Sequence, residues 1–277
     1  YKRQGSCLEF NERCGYCPFL RTPAKNDIST KVFLRKKEVY QTANLNVVSC
    51  SHWLCTLMKS STLFRNVPSY TIPNPIDTKF YTMLNKEQCR KDLGLPTDKK
   101  LILFGAAKIS DVRKGFRYLN EALQILKDNF PELSKEIELV VFGKINKKTQ
   151  KRFAFNTHTL KFISDPRMLV KLYNAADAFI LPSLQDNLPN TVVESMCCGT
   201  PVVGFRIGGV PEMIEHMKTG YLAEVKNSLS LANGIYNMLL FSNDEQRQAV
   251  REAAVKKFSE DIVAQQYLSV YGKAISR

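Results

Sequence analysis

Short apolar runs separated by amphipathic stretches constrain the fold of this chain more than any other feature of its sequence. Each run is apolar on both faces, as expected for strands buried within a parallel sheet. The runs are Leu101–Phe104, Leu139–Phe142, Ala178–Leu181 and Pro201–Phe205, with Leu160–Ile163 as a shorter candidate. Parallel strands need helical crossovers because a hairpin cannot join them. The sequence therefore predicts an α/β fold, a Rossmann-like parallel sheet with helices on both faces.

The segments on either side of this alternation have a different pattern. Val32–Tyr40 and Trp53–Lys59 are predicted helices that enclose a short predicted strand at Leu45–Ser49. The prolines of Val67–Ile76 restrict the backbone and disfavour helix, which indicates a linker between domains. We therefore expect an incomplete first domain up to about residue 70 and then one complete α/β domain of ordinary size.

Helical patterns return after Glu224. Predicted helices cover Leu229–Leu240 and the stretch from Asn243 to Ile275, with a break near Phe258–Ser259. No apolar run approaches the roughly 20 residues of a membrane-spanning helix, and the first residues lack the pattern of a signal peptide. Because the chain begins at Tyr1, within a segment that has no visible start, we expect it to be a fragment.

The charge balance restricts the classes of partner. The 277 residues carry 40 Lys and Arg against 26 Asp and Glu, a formal net charge of +14. Such an excess attracts nucleic acid, an anionic membrane face or a phosphorylated small molecule. No nucleic-acid-binding motif and no interleaved aromatic residues accompany the basic clusters, so nucleic acid is not a predicted partner.

The eight cysteines do not form the regular framework of a disulfide-rich protein, which favours reduced thiols and a cytoplasmic location. Cys7, Cys14 and Cys17 alone stand close together, as Cys-x6-Cys-x2-Cys. Three thiolates could form most of a tetrahedral zinc site with a fourth ligand upstream. The preferred alternative is three ordinary thiols in a loop, with no metal required.

Polar residues follow the predicted strands at the edge where open α/β sheets bind ligands. Arg113 and Lys114 stand at the opening of the helix after the first run. Helix N-termini carry unpaired amides and partial positive charge, so two cations there make an anion site. The alternative is that both side chains simply face water.

Two acids mark the loop and helix after the third run. Asp186 lies in the loop, and Glu194 lies near the first turn of a helix capped by Asn190 or Thr191. Acids that converge at one edge are costly to bury unless they meet hydroxyl groups or cations. The alternative is that they serve only as cap and dipole partners of the helix.

A pair of glycines, Gly208-Gly209, is predicted to open a further helix at the same edge, where its amides could approach a phosphate. The order of these segments resembles the donor-domain signature of glycosyltransferase family four, of GT-B architecture, and especially bacterial cell-surface polysaccharide transferases. The resemblance is carried by Pro182-Ser183, Asp186, Glu194, Cys198-Gly199-Thr200-Pro201-Val202-Val203, Gly208-Gly209-Val210-Pro211-Glu212 and the linker-like Ile72–Asp77.

This resemblance implies roles for the charged residues. Glu194 matches an acid that holds the ribose hydroxyls of the nucleotide, and Asp186 matches an acid, usually glutamate, near the transferred sugar. Lys114 matches the lysine that grips the diphosphate. The family's companion arginine is replaced by Ala106, so Arg113 is expected to supply the second positive charge.

Uncharged positions also match. Asn187 and Leu188 correspond to loop residues whose backbone amides hold the sugar or the phosphate. Gly143, in a loop at Phe142–Gly143, and Ile163, in a turn at Phe162–Ser164, are expected to border the base.

The resemblance further implies a retaining hexosyltransferase that uses a UDP- or GDP-linked sugar and a saccharide or lipid-linked acceptor. It would act in the cytoplasm or at the inner face of the plasma membrane, and it would need no metal because the cations neutralise the departing diphosphate. Residues 1–70 would be a remnant of the acceptor domain, 71–260 the donor domain and 261–277 a helix crossing back. We expect such a fragment to bind nucleotide but transfer sugar poorly.

Two other classes remain as alternatives. A dehydrogenase would need Gly-x-Gly-x-x-Gly after the first strand, and Gly105-Ala106-Ala107-Lys108 does not supply it. A basic module that binds nucleic acid or a membrane surface would show strong salt dependence without binding nucleotide sugars.

Overall fold

The computed structural model of the chain describes residues 7–109, 111–145, 153–240 and 243–276. These residues divide into two compact units. One comprises the described residues up to Ile72 together with those from Tyr267 onward, and the other is Pro73–Gln266. The domain boundaries expected from the sequence fall after residues 70 and 260. The assignment of these parts to an acceptor domain and a donor domain stays a prediction.

The first unit contains a small parallel sheet. Its elements are α1 (Ile28–Thr42), β1 (Val47–Ser49), α2 (His52–Lys59) and β2 (Ser69–Thr71). Both helices begin at a capping side chain: Asp27 accepts from the amides of Ser29 and Thr30, and Ser51 accepts from the amide of Leu54.

The boundary between the two units, after Ile72, falls within the predicted linker Val67–Ile76, and the first part of this segment forms β2, which pairs with β1. Pro68 and Pro73 flank this strand instead of interrupting its pairing. The carbonyl of Pro68 even accepts from the amide of Val47.

The second unit is built on a six-stranded parallel sheet. Its strands are β3 (Lys100–Lys108), β4 (Ile137–Lys144), β5 (Thr157–Leu160), β6 (Ala178–Leu181), β7 (Val202–Phe205) and β8 (Gly220–Ala223). Their spatial order is β5-β4-β3-β6-β7-β8. From β3 the chain adds β4 and β5 on one side of the sheet. It then returns to the other side of β3 and adds β6, β7 and β8 there, so the strand order reverses between β3 and β6 and makes a topological switch point.

The second unit contains the helices α3 (Lys86–Leu93), α4 (Phe116–Asn129), α5 (Pro131–Glu136), α6 (Pro166–Ala175), α7 (Asn190–Cys197), α8 (Ser228–Leu240) and α9 (Asp244–Phe258). The last helix, α10 (Glu260–Ile275), begins in this unit and belongs to the first unit from Tyr267 onward. The predicted break near Phe258–Ser259 is confirmed. Among the described residues, no helix combines the length and the apolar character needed to cross a bilayer.

The apolar runs form the centre of the sheet as predicted, and Leu101–Leu103 have no exposed surface. The strand predicted at Leu160–Ile163 was placed too late, since β5 ends at Leu160. This strand lies at an edge of the sheet and is half-buried. Its polar Thr157, His158 and Thr159 therefore do not show the apolar pattern of the central strands.

Candidate functional site

The loops after β3 and β6 meet at the switch point. The amide of Leu184 donates to the carbonyl of Arg113 over 2.7 Å. Gly115 has φ +65°, and a Cβ at this position would lie 1.7 Å from the carbonyl oxygen of Pro182. The two loops can approach this closely only because residue 115 is glycine.

The turn after β7 joins the same group of loops. The amide of Gly209 donates to the carbonyl of Asn187 over 2.7 Å. Gly208 has φ +48°, and a Cβ there would lie 1.8 Å from the carbonyl oxygen of Asp186. The structure thus brings together the three segments that were expected to surround one pocket.

This turn differs from its prediction in two respects. The helix expected to open at the paired glycines is a single 3-10 turn, Val210–Glu212. The Gly209 amide, which was expected to approach a phosphate, is already used by the carbonyl of Asn187. The glycines therefore hold the loops together in this structure.

Lys114 and Asp186 form an ion pair across the crevice between the two loops. The Lys114 Nζ lies 3.1 Å from Asp186 Oδ2, and the two side chains are 34% and 22% exposed. The amide of Asn187 donates to the other carboxylate oxygen of Asp186 over 3.1 Å. The site therefore holds both signs of charge, and an arriving anion would compete with Asp186 for Lys114.

Arg113 has its own acidic partner. Its Nη2 lies 2.6 Å from Asp111 Oδ2, and its Nε lies 3.1 Å from each carboxylate oxygen. This hydrogen bonding raises the pKa of Arg113 and lowers the pKa of Asp111. The contribution of Arg113 to a diphosphate site stays a prediction, and a bound anion would have to draw it from Asp111.

Glu194 is the fifth residue of α7. The expected cap at Asn190 or Thr191 was wrong, because the helix begins at Asn190 and its N-cap is Pro189, with no hydrogen bond from a capping side chain. Pro189 has extended backbone angles and turns the chain into the helix one residue earlier than expected. Glu194 consequently lies on the second turn, at the side of a cleft.

The cleft beside Glu194 has a volume of about 250 Å³. Its lining combines the start of α7 with the segment that precedes α3, namely Asn74, Pro75, Ile76, Asp77, Tyr81, Asn190, Val193 and Glu194. Carboxylate, amide and phenol groups are suited to bind a ligand rich in hydroxyl groups. The sequence did not reveal the contribution of the segment from Asn74 to Tyr81, because its proline pattern indicated only a linker.

A buried tyrosine holds Glu194 from the side of the core. The hydroxyl of Tyr173 donates to Glu194 Oε2 over 2.8 Å. Burial raises the pKa of Glu194, and this hydrogen bond acts in the opposite direction. The sequence did not single out Tyr173, which lies on the buried face of α6, where core residues are usual.

The remaining candidate residues lie at or after the carboxyl ends of β4, β5 and β6. Gly143 is part of β4, not of a loop as expected, and has φ +118°. A Cβ there would lie 1.8 Å from the carbonyl oxygen of Ala106, so glycine allows β4 to approach β3. Ile163 is half-buried just after β5, and the Leu188 side chain is buried in the loop after β6.

The zinc hypothesis for Cys7, Cys14 and Cys17 stays a prediction. Within the described ranges, no group of three or more His, Cys, Asp or Glu side chains is arranged to hold a metal ion. Burial raises the pKa of Cys14, with smaller contributions from Cys7 and Cys17, which favours the protonated thiol. The geometry therefore gives the zinc hypothesis no support.

The sequence model for glycosyl transferases group 1 matches residues 85–257, more than half of the chain. The chain belongs to this family. The match covers the six strands of the second unit, the Lys114–Asp186 pair and Glu194. The resemblance to glycosyltransferase family four is therefore confirmed.

Relatives of this glycosyltransferase chain are longer proteins. An N-acetyl-alpha-D-glucosaminyl L-malate synthase from Bacillus anthracis is 27% identical over 208 residues, covering 73% of this chain and 52% of that protein. The N,N'-diacetylbacillosaminyl-diphospho-undecaprenol alpha-1,3-N-acetylgalactosaminyltransferase of Campylobacter jejuni is 27% identical over 207 residues, covering 72% and 53%. The chain thus spans about half the length of these relatives.

The fold is that of GT-B glycosyltransferases. The crystal structure of Anabaena Alr3699/HepE in complex with UDP and glucose superposes with a TM-score of 0.68 at 21% identity. The superposition covers 88% of this chain and 67% of that one. The predicted α/β class and Rossmann-like parallel sheet are confirmed.

Proposed function

We propose that this chain binds the nucleoside diphosphate sugar of a retaining glycosyltransferase. The observation that carries the proposal is the Lys114–Asp186 pair at the switch point of a sheet whose sequence matches a glycosyltransferase family. Ligands of open parallel sheets bind in this crevice. The complex of a GT-B neighbour with UDP and glucose supports a nucleotide sugar as the ligand.

Lys114 is proposed to bind the diphosphate. Cleavage of the sugar–phosphate bond leaves negative charge on the departing nucleotide, and an ammonium group stabilises that charge where water is excluded. Arg113 adds a second positive charge when it leaves Asp111. These cations allow the reaction to proceed without a metal ion, which is part of the proposal.

Asp186 and Glu194 are proposed to bind hydroxyl groups. An ionised carboxylate is purely an acceptor, so each acid can hold a donor from the ligand. Asp186, released when Lys114 turns to the diphosphate, faces the transferred sugar together with the backbone of Asn187 and Leu188. Glu194 holds the ribose, and Gly143 and Ile163 border the base.

The acceptor is proposed to be a saccharide or a lipid-linked saccharide, and the transferred group a hexosyl residue. The name of the Campylobacter jejuni relative, which refers to a diphospho-undecaprenol acceptor, supports this class. The net charge of +14 is compatible with peripheral contact at the anionic inner face of a bacterial plasma membrane. The same proposal places the enzyme in the cytoplasm, where it would help to build a polysaccharide destined for the cell surface.

Calorimetric titration with UDP, GDP and their hexose derivatives tests the nucleotide site. Lys114→Ala and Glu194→Ala should each lose roughly 1.5–3 kcal/mol of binding free energy, because each removes a hydrogen bond to a charged group. Lys91→Ala is the control, since its exposed ion pair with Glu87 lies on α3. Unchanged affinity in both site variants would overturn the assignment.

A further inference from the structure

Tyr173 is fixed in the core on several sides. Its side chain has no exposed surface, and its ring meets the ring of Phe179 edge to face with centroids 5.7 Å apart. Its backbone carbonyl accepts from the hydroxyl of Thr200 over 2.6 Å. A phenol hydroxyl buried in this way needs a hydrogen-bond partner, and Glu194 Oε2 provides it at 2.8 Å.

The opposite wall of the cleft is also held in place. Arg251 Nη2 donates to the carbonyl of Thr78 over 2.9 Å, and Nη1 donates to the carbonyl of Tyr81 over 2.9 Å. The same Nη1 contacts the carbonyl of Cys197 at the end of α7. One guanidinium therefore ties the segment before α3 to the helix that carries Glu194, and so joins the two walls of the cleft.

Glu194 consequently lies between a buried phenol and an open cleft. Its Oε2 is engaged by Tyr173, and the residue also lines the cleft. Removal of a carboxylate from water favours its neutral form, in which the group carries a proton and no longer accepts at both oxygens. A hydrogen bond donated from the core favours the ionised form and leaves acceptor capacity for a ligand.

We propose that Tyr173 is a positioning residue that keeps Glu194 ionised and oriented to accept hydroxyl groups of the ligand in the cleft. This inference rests on the proposed function, in which Glu194 binds the ribose of a nucleotide. Tyr173 touches no substrate in this proposal and acts through Glu194 alone.

The tyrosine and cysteine groups near Glu194 titrate in a different range. Burial raises the pKa of Tyr81 to about 12 and that of Cys197 to about 11, and it also raises the pKa of Cys198. These groups stay protonated in acid and neutral solution. Asp77, across the cleft, has its Oδ1 bound by the amides of Lys79 and Phe80 and does not depend on Tyr173.

The test compares the pH dependence of UDP and GDP binding in the unmutated chain and in Tyr173→Phe. Loss of the phenol hydroxyl should move the acid midpoint of binding upward by about one pH unit, since a hydrogen bond to a charged group has about that strength. At pH values below the midpoints of both proteins, Tyr173→Phe should bind the nucleotide about tenfold more weakly than the unmutated chain, and at pH values above both midpoints the difference should be much smaller. Tyr236→Phe is the matched control, because Tyr236 stacks on Phe130 with centroids 4.0 Å apart.

A double-variant comparison separates positioning from general stability. In a Glu194→Gln background the part of the acid limb that belongs to Glu194 should disappear, leaving the limb of the nucleotide's own phosphate, and the addition of Tyr173→Phe should change affinity less than about twofold. The inference would be overturned if Tyr173→Phe lowered nucleotide affinity by the same factor at every pH. It would also be overturned if Tyr173→Phe lowered affinity equally in the unmutated chain and in the Glu194→Gln background. Should Tyr173→Phe not fold, an acid limb in Glu194→Gln identical to that of the unmutated chain would overturn it as well.

Failure of the proposed function has a different signature. Unmutated chain that binds neither UDP nor GDP, or Glu194→Gln that binds as tightly as the unmutated chain, would remove Glu194 from the nucleotide site. Loss of binding in Glu194→Gln together with an unshifted midpoint in Tyr173→Phe would leave that site in place and reject only the role of Tyr173.

Discussion

Replacement of Gly115 by alanine should damage the crevice more than its backbone angles alone would indicate. Gly115 and Gly94 have nearly the same left-handed φ, +65° and +64°, and both follow the end of a helical segment. A Cβ at Gly94 meets nothing within 4 Å, whereas a Cβ at Gly115 lies 1.7 Å from the carbonyl oxygen of Pro182. The two positions therefore share a conformational penalty and differ in steric conflict.

The magnitude follows from these contacts. A left-handed alanine costs about 1–2 kcal/mol, which is all that Gly94→Ala should lose. In Gly115→Ala the Pro182 carbonyl must also retreat toward an ordinary contact distance of roughly 3.5 Å. That movement strains the hydrogen bond from Leu184 to Arg113, worth about 0.5–1.5 kcal/mol, so the total loss should be about 1.5–3.5 kcal/mol.

Denaturant unfolding of both variants measures this difference, and titration with UDP or GDP measures its effect on the site. Because Lys114 is the neighbouring residue, displacement of the loop should weaken nucleotide binding by roughly tenfold or more, while Gly94→Ala should bind normally. Equal losses of stability in the two variants would refute the steric reasoning. Normal binding by a destabilised Gly115→Ala would refute the link between this loop and the ligand.

Further predictions concern the buried ion pairs beneath α3. Arg90→Met should lose about 3–5 kcal/mol of stability in denaturant unfolding, because it leaves the buried Asp177 carboxylate without its guanidinium partner. Lys91→Met, which breaks only the exposed pair with Glu87, should stay within about 1 kcal/mol, and similar losses in both would contradict the argument. Burial raises the pKa of Asp177, but Lys86 and Arg90 outweigh it and hold that pKa below its usual value. The contribution of ionised Asp177 to the free energy of unfolding is therefore complete above about pH 4 and is lost as the pH falls through the folded pKa. In Asp177→Asn the free energy of unfolding should consequently fall less steeply as the solution is made acid.

The central strands could be predicted because burial on both faces leaves a continuous apolar run, as in Ala178–Leu181. The edge strand Thr157–Leu160 could not be placed well, since an edge position accepts polar residues. Helix α3 was missed for a similar reason: its stability comes from the Asn85 cap and from Arg90 beneath it, not from an apolar stripe.

The site residues that directly follow strands of the parallel sheet could be predicted from the sequence, because the strands fix where these residues lie. Lys114 and Asp186 follow strands that become neighbours, so a parallel sheet brings them together. The Asp111–Arg113 pair depends on the 3-10 turn between them, which has no clear sequence pattern. The hydroxyl of Tyr173 was missed because helical periodicity locates a side chain on a face but says nothing of its polar end.

The Lys114–Asp186 ion pair has a consequence for selectivity among anions. A ligand that draws Lys114 away leaves Asp186 without its cation, and a half-buried carboxylate then needs new donors. Inorganic phosphate brings negative charge but no surplus of donors to satisfy that acid. A sugar joined to a diphosphate brings both, so inorganic phosphate should be a poor competitor for this crevice.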